Sequence, residues 1–338
     1  MIEHRRAITT AFLLLILSVG CALLLGRYKI DIVTLTRIIA SVLAGEALRE
    51  SDTPALVLWS VRLPRVIVAV AVGAALSVAG AVFQSLFRNP LVSPNILGVT
   101  SGAAFGATLA IFILGGSAWA IEGFAFAWGL IAVILSYQIG KRSGNSVTSL
   151  VLSGVIVSSL FMAGVTFLKY HADPYQHLPA MVFWSMGSFN SIIWMDVWKA
   201  LAIIAPGLAV IYFYRWRLNP LALGDEEAMS LGIEVSRARV LYILLGTLIV
   251  AISVSVSGSI GWVGLVVPHM SRIIVGSDHD IMIPFTGVLG GIFMLTMDTL
   301  SRSLPGGEIP VGVLTALLGA PFFAYLLISN RRRGAWEN

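Results

Sequence analysis

The sequence has few charged residues and almost no cysteine. Charged residues make up 12% of its 338 residues, whereas 57% are hydrophobic. The mean hydropathy of +0.90 is too high for a soluble protein, because no ordinary core could bury so much apolar surface. The one cysteine, Cys21, excludes an internal disulfide and a multi-cysteine metal site. We expect it to be a buried small apolar residue.

Motifs for nucleotide binding and hydrolysis are also missing. No GxxxxGK[ST] segment occurs, so this chain has no P-loop for nucleotide phosphates. HExxH and GxSxG segments are absent too, which argues against an intramembrane enzyme. His269, His171 and His177 have no further ligands at metal-site spacing, so we expect no metal there and a hydrogen-bonded role for His269.

Ionisable residues are scarce inside the apolar runs. We expect Lys199, Asp298 and Arg302, which lie near the ends of such runs, to reach the membrane interface with their polar groups. Proton and sodium pathways need buried ionisable residues, and charge-selective channels need rings of charge. The sequence therefore gives little support to a channel or an ion-coupled secondary transporter.

Long apolar runs are the dominant feature. A helical span needs roughly 20 apolar residues, and we count about ten spans once turn signals divide the runs. The run 262–275 is too short to cross alone and is expected to pack inside the protein. Besides this run, the expected spans are 7–27, 58–82, 93–114, 117–138, 147–168, 190–214, 238–258, 280–301 and 308–329. The sequence thus predicts an all-α polytopic membrane protein with one transmembrane domain over residues 1–338.

The basic residues are scattered at span ends, which does not favour a nucleic-acid interface despite an isoelectric point near 9.6. Lys and Arg prefer cytoplasmic loops, so we expect both termini in the cytoplasm. Cytoplasmic cations would be Arg5, Arg6, Arg88, Lys141, Arg142, Arg215, Arg217, Arg237, Arg239 and Arg331 to Arg333. External cations would be Arg27, Lys29, Arg37, Arg49, Arg62, Arg65, Lys169 and Arg302. This external group is an exception to the rule and suggests a function.

Two connections are more than simple links. The external segment 169–190 mixes proline, histidine and aromatic residues, and we expect a folded cap with an interfacial helix. The cytoplasmic segment, about 218–237, places acids directly after Gly224 and an apolar turn before Gly232, which predicts a short amphipathic helix. Because so short a helix is unstable alone in water, it must dock on its own bundle or on another protein.

Small residues recur at helical spacing in two spans. Gly73 and Gly80 lie in one of them, where they predict close helix packing. Gly98, Gly102 and Gly106 form a smooth stripe on the next span, which could be a packing face or part of a pore wall.

Several stretches together resemble the permease subunits of bacterial ATP-binding-cassette (ABC) importers for iron-siderophores, haem and cobalamin, the FecCD/BtuC type. These stretches are VRLPR (61–65), GAALSVAGAVFQSLFRNPLVSPNILGVTSGAAFGA (73–107), LGDEEAMSLGI (223–233), SGSIGWVGLVVPHMSR (257–272), GSDHDIMIP (276–284), DTLSR (298–302) and EIPVGVLTALLGAPFF (308–323). The resemblance implies a ten-helix, type II importer permease that works as a homodimer with the path at the dimer interface. It also implies two ATPase subunits, which carry the ATP and Mg, and one periplasmic or lipid-anchored substrate-binding protein. No cofactor is expected on this chain.

The resemblance also implies roles for particular residues. Arg62, Arg65 and Arg302 match external arginines that receive acidic residues of the binding protein. The segment that couples to the ATPase is matched by Gly224, Asp225, Glu226, Glu227, Ala228, Leu231 and Gly232. A signature turn and pore-proximal positions are matched by Arg88, Asn89, Pro90, Pro94, Gly98, Gly102, Pro268 and Pro310, with Arg88 to Pro90 ending the second span and Pro94 starting the third.

The resemblance implies an ATP-driven import mechanism, but the members of the family transport different cargoes. An iron-siderophore is the expected cargo, and haem, cobalamin and molybdate or tungstate are the alternatives. The segment ADPYQHLPAMVFWSMGSF (172–189) resembles a subset of the family that includes importers of molybdate or tungstate as well as importers of iron chelates. The expected location is the cytoplasmic membrane of a bacterium or archaeon.

Overall fold

The computed structural model describes residues 2–44, 52–144 and 146–331, and these residues form helices without any strand. Arg49, one of the expected external cations, lies outside the described residues. The helices are α1 (Ile2–Leu24), α2 (Ile32–Leu43), α3 (Thr53–Leu56), α4 (Leu63–Leu86), α5 (Val99–Leu114), α6 (Ala118–Arg142), α7 (Val147–His171), α8 (His177–Met186), α9 (Trp194–Tyr214), α10 (Leu218–Leu223), α11 (Asp225–Ser230), α12 (Val235–Ser257), α13 (Val263–Val275), α14 (His279–Ser303) and α15 (Val311–Arg331).

Seven stretches of described helix are long and apolar enough to cross a membrane. Of the shorter apolar helices, α5 and α15 correspond to the other two expected spans, and α13 corresponds to the short run 262–275. One crossing is longer than predicted, because α3 and α4 are joined through a π-helical segment into a continuous helix, Thr53–Leu86. The all-α polytopic fold predicted from the sequence is confirmed.

The third span begins later than predicted. Pro94 does not start it, because the chain from Phe87 to Gly98 runs through successive turns and α5 begins only at Val99. Gly98 precedes this helix in the left-handed conformation, with φ of 82°, which glycine adopts without steric cost. The prolines of the signature turn therefore shape a connecting segment rather than a helix start.

An additional amphipathic helix, α2, was not expected from the sequence. Its run of 12 residues is too short to resemble a span. The Asp31 carboxylate caps its first turn and accepts a hydrogen bond from the Thr34 backbone N–H at 2.8 Å, which lowers the pKa of this carboxyl group. Leu35 and Ile38 pack against Leu58, so α2 lies beside the start of the long second span.

The α4 helix forms the centre of the bundle. Of the most apolar 18-residue window in Thr53–Leu86, 83% is buried, and α9, α12, α13 and α14 all contact α4. A Cβ atom at Gly73 would overlap the Gly290 carbonyl of α14, and one at Gly80 would overlap the Gly264 carbonyl of α13. These glycines therefore let two neighbouring backbones approach α4 closely, as predicted.

The expectation for the short run 262–275 is confirmed, whereas the expectation for Cys21 is not. The short α13 helix does pack inside the protein, against α4, α14 and α15. Cys21, however, is exposed on α1, so the prediction that it is buried is wrong. Only 11% of the apolar window of α1 is buried, because this helix lies at the edge of the bundle and contacts it along one side.

The bundle has two polar ends, named here for the short helices they carry. At the α8 end, Arg302 at the end of α14 donates to the Ala22 carbonyl of α1 at 2.6 Å. The N–H of Gly312, at the start of α15, faces the Gly187 carbonyl that follows α8. Because α1 ends and α15 begins at this end, both helices have their other ends at the α11 end.

Candidate functional site

The segment expected to couple to an ATPase forms the short helices α10 and α11. Gly224 separates the two helices and is buried. Gly232 follows α11 with φ of 79°, a left-handed conformation that ends the helix before α12 begins. Ala228 is fully buried and forms the inner side of α11. The predicted short helix between two glycines is therefore present.

The outer side of this segment carries uncovered apolar side chains. Leu223, Met229 and Leu231 are 71%, 57% and 65% exposed, and Glu226 and Glu227 are exposed beside them. Short helices need external packing for stability, and clustered exposed apolar residues mark contact surfaces. This surface, named the α11 face, has the composition of a protein-docking site.

Two arginines hold α11 in place through Asp225. The Arg239 guanidinium of α12 donates to both Asp225 carboxylate oxygens, at 3.0 and 3.1 Å. The Arg88 guanidinium lies 3.9 Å from the same carboxylate. Arg88 has φ of 48°, which is uncommon for a residue with a side chain and directs the chain out of α4. The signature turn and the coupling segment therefore meet at one carboxylate.

The signature turn is also fixed to the core. The Gln84 side-chain amide donates to the Val92 and Gly264 carbonyls at 3.2 and 3.3 Å, which joins α4, the turn and α13. The Asn89 side chain accepts a hydrogen bond from the Leu91 N–H at 2.9 Å. Pro94 is in close contact with Gly264. These contacts make the turn a rigid link between neighbouring helices.

The glycine stripe that follows the turn is a packing face in this chain. A Cβ atom at Gly102 would overlap the Trp128 carbonyl of α6, and one at Gly106 would overlap the Phe124 carbonyl. A Cβ atom at Gly98 would lie 3.1 Å from the Ser158 hydroxyl of α7. Of the two alternatives left open by the sequence, the structure therefore shows helix packing at all three positions.

The three arginines expected to form an external rim are buried. Arg62, Arg65 and Arg302 are only 4%, 4% and 5% exposed. They line a small cavity of about 170 Å³ at the α8 end, together with Glu308. These side chains therefore do not form an exposed surface in this chain, because internal partners hold their guanidinium groups inside the protein, and their docking role stays a prediction.

Internal partners occupy most of the donors of these arginines. Asp298, which is fully buried, accepts a hydrogen bond from Arg65 at 2.8 Å and lies 3.4 Å from Arg302. Arg65 also contacts Glu308 at 3.0 Å. Arg62 donates to the backbone carbonyls of Leu23, Leu24 and Tyr28 at the end of α1. The cluster thus ties α1, α4 and α14 together.

Two other cations at the α8 end are accessible. Arg27 and Lys29 are exposed in the connection between α1 and α2, and neither pairs with an acid among the described residues. Arg27 also lines the cavity above the buried arginines. Sequence reasoning included both residues among the external cations but did not assign them a role.

Lys199 belongs to a second internal ion cluster. Its ammonium group contacts Glu122 at 2.5 Å and Asp196 at 2.9 Å, and it lies 4.3 Å from the centre of the Trp119 ring. The prediction that Lys199, Asp298 and Arg302 reach for the membrane interface is therefore wrong. Each is held by an oppositely charged residue of this chain, and two of these pairs, Lys199 with Glu122 and Asp298 with Arg65, join residues far apart in the sequence.

The remaining pore-proximal prolines lie in different settings. Pro268 is buried within α13, whereas Pro310 directly precedes α15 and its carbonyl accepts hydrogen bonds from the first turn of that helix. His269 follows Pro268, and its buried Nε2 has no hydrogen-bond partner among the described residues, contrary to expectation. No group of three or more potential metal ligands occurs in the described part of the chain.

The Asp298 carboxylate should be essential for stability. Asp298→Asn leaves two buried guanidinium groups with a single acid, and loss of one partner of a buried ion pair costs about 3–5 kcal/mol. We expect a large fall in the apparent unfolding temperature in detergent. Glu234→Gln is the matched control, because Glu234 pairs with Arg237 at the exposed surface and contributes at most about 1 kcal/mol. Equal shifts in the two variants would contradict the assignment.

Comparison with known proteins identifies the family. The FecCD transport family matches residues 13–329. The molybdate import system permease protein MolB of Haemophilus influenzae is 41% identical over 96% of each chain. The cobalamin import system permease protein BtuC of Halobacterium salinarum is 41% identical over 82% of this chain and 74% of its own.

A solved structure shares the fold over nearly the whole chain. The inward-facing conformation of a putative metal-chelate type ABC transporter has a TM-score of 0.86 and 38% identity, over 96% of this chain and 99% of its own. Similarity of both sequence and structure therefore covers nearly the whole chain, including the coupling segment and the arginine cluster. The chain belongs to the FecCD transport family and is an ABC importer permease.

Proposed function

We propose that this chain is the translocation subunit of an importer in which the α11 face docks into a separate ATPase. The observation that carries this proposal is the uncovered apolar surface of Leu223, Met229 and Leu231, which lie on or directly beside α11, a helix too short to be stable alone. Hydrolysis belongs to the partner, because no P-loop segment occurs in the sequence. ATP and Mg would be bound by the partner, and this chain would hold no cofactor.

The structure suggests how motion would pass from the ATPase to the bundle. A displacement of α11 would act on α12 through Arg239 and on α4 through Arg88, since both arginines contact Asp225. Tightly packed helices shift as units rather than deforming continuously. Closure of the ATPase subunits would therefore reorient whole spans between inward-open and outward-open states.

The proposed assembly is a homodimer with two ATPase subunits and one substrate-binding protein, with the path at the dimer interface. The α11 end would face the cytoplasm, which also places both termini there. Pro268 and Pro310 would lie along the external half of the path. The membrane would be the cytoplasmic membrane of a bacterium or archaeon, consistent with the basic residues at the α11 end.

The cargo is proposed to be a metal chelate or a metal oxyanion. The sequence alone favours an iron-siderophore, and haem and cobalamin remain alternatives. A specific observation now favours molybdate as a second candidate, because a relative named as a molybdate permease matches 96% of this chain. A relative from Helicobacter pylori named "probable iron chelatin transport system permease protein" is 37% identical over 83% of this chain, which supports the iron chelate.

Stimulation of ATPase activity tests both the proposed assembly and the proposed cargo. The chain is co-purified with the ATPase encoded beside its gene and placed in liposomes with the neighbouring binding protein. We expect hydrolysis to rise when that protein is loaded with a ferric chelate or with molybdate, and the active ligand identifies the cargo. If no ATPase copurifies, the docking proposal for the α11 face is wrong.

The contact between Arg239 and Asp225 should control coupling. Arg239→Ala removes two hydrogen bonds to a half-exposed carboxylate, a loss of about 1 kcal/mol, so we expect transported cargo per hydrolysed ATP to fall about fivefold. The measurement is uptake and phosphate release in the same liposomes. Arg237→Ala is the control, because Arg237 is exposed and contacts only Glu234. Unchanged stoichiometry for Arg239→Ala would leave the pair without a coupling role.

We also propose that Arg27 and Lys29 make the first electrostatic contact with an acidic binding protein. Exposed cations steer association, and the effect weakens as salt screens it. The double change Arg27→Glu with Lys29→Glu should lower stimulation by the binding protein about tenfold at low salt.

Docking by Arg62, Arg65 and Arg302 stays a prediction. A comparison of two variants distinguishes docking by these buried arginines from docking by Arg27 and Lys29. If Arg62→Gln abolishes stimulation in a correctly folded chain while the double variant keeps it, the buried arginines are the docking residues. Arg237→Glu, at the opposite end, controls for a general change in charge.

A further inference from the structure

The helices α6 and α12 enclose a groove on the side of the bundle near the α11 end. This groove has a volume of about 430 Å³. Both flanking helices are long and apolar enough to cross a membrane, and Ile134 and Leu244 on its two walls are 52% and 54% exposed. Its apolar lining comprises Leu130, Val133, Ile134, Val240, Ile243, Leu244 and Leu248. The groove therefore lies between two expected membrane spans and is open at the outer surface of the described chain.

The lining of the groove changes from apolar to polar toward the end of α6. Tyr137, Gln138 and Lys141 follow Ile134 on the same side of the helix, since residues three, four and seven positions apart share one face. None of these three polar side chains has a hydrogen bond or ion pair with another described residue. An apolar channel thus ends at three unpartnered donors.

Nearby basic residues differ from Lys141 in this respect. Arg239 pairs with Asp225, Arg237 with Glu234, and both contacts are 3.0 Å or shorter. Each of these two acids at the α11 end therefore already holds a guanidinium group. Lys141 and its neighbour Arg142 have no acidic partner within the described chain, which leaves positive charge at the mouth of the groove.

We propose that this groove binds one anionic glycerophospholipid. An acyl chain lies between α6 and α12, and the phosphate lies at Lys141, with Tyr137 and Gln138 as further donors. The ligand fits because its apolar and charged parts follow the same order as the groove lining. An anionic headgroup is favoured over a zwitterionic one, because Lys141 and Arg142 place positive charge at the mouth of the groove and neither pairs with an acid among the described residues.

A second cavity connects the proposed lipid site to the ion pair that holds α11. A further cavity of about 380 Å³ shares Tyr137 and Val240 with the groove and is lined by Asp225 and Arg239. The headgroup of the bound lipid would therefore lie beside the ion pair that holds α11. Lipid binding itself does not depend on the proposed cargo or ATPase.

Native mass spectrometry of the full chain in detergent tests the site. The delipidated protein is titrated with dioleoyl phosphatidylglycerol and, separately, with dioleoyl phosphatidylethanolamine. We expect one phosphatidylglycerol to bind preferentially. Lys141→Gln should weaken this lipid about fivefold, the loss of one lysine near a lipid phosphate. Arg237→Gln removes the same charge at the same end and should have little effect.

A second variant tests the acyl channel independently. Ile134→Trp fills the apolar part of the groove and should reduce binding of both lipids, and Leu244→Trp does so from α12 if the first variant is not monodisperse. Three results would each overturn the proposal: equal binding of the two lipids, equal weakening by Lys141→Gln and Arg237→Gln, or full binding to a monodisperse variant with a filled groove.

Discussion

The buried carboxylate of Asp298 is the contact on which the α8 end depends. It lies between Arg65 of α4 and Arg302 of α14, and Arg302 in turn donates to the last carbonyls of α1. An ion pair in a membrane protein is stable only when each charge has a partner within the protein, because lipid offers none. Three helices are thus held in one register by a single acid.

The α4 helix connects the Asp298 ion cluster to the opposite end of the bundle. Its glycines allow α13 and α14 to approach so closely that a methyl group would not fit, and such contacts stabilise helix packing where no hydrophobic effect acts between helices. At its other end, Gln84 and Arg88 fix the turn that meets the coupling segment. One continuous helix therefore links the ion cluster at the α8 end to Asp225 at the α11 end.

The two polar ends use their charges differently. At the α8 end, Arg62, Arg65 and Arg302 serve the internal structure, and Arg27 and Lys29 remain accessible. At the α11 end, arginines hold α11 in place, while the α11 face is uncovered. A surface that is held rigidly from within but left uncovered outside is suited to receive a partner that transmits force.

The sequence by itself determined the helical class, most of the spans, the buried short helix α13 and the short helix between Gly224 and Gly232. These features follow from hydrophobic run length and from local turn residues, so they can be read without knowing the fold. The motifs also predicted the family correctly. Only the tertiary structure decided the burial of Arg62, Arg65 and Arg302, the partners of Lys199 and Asp298, the packing role of Gly102 and the late start of α5. These depend on contacts such as that between Arg65 and Asp298, 233 positions apart, which no local pattern specifies.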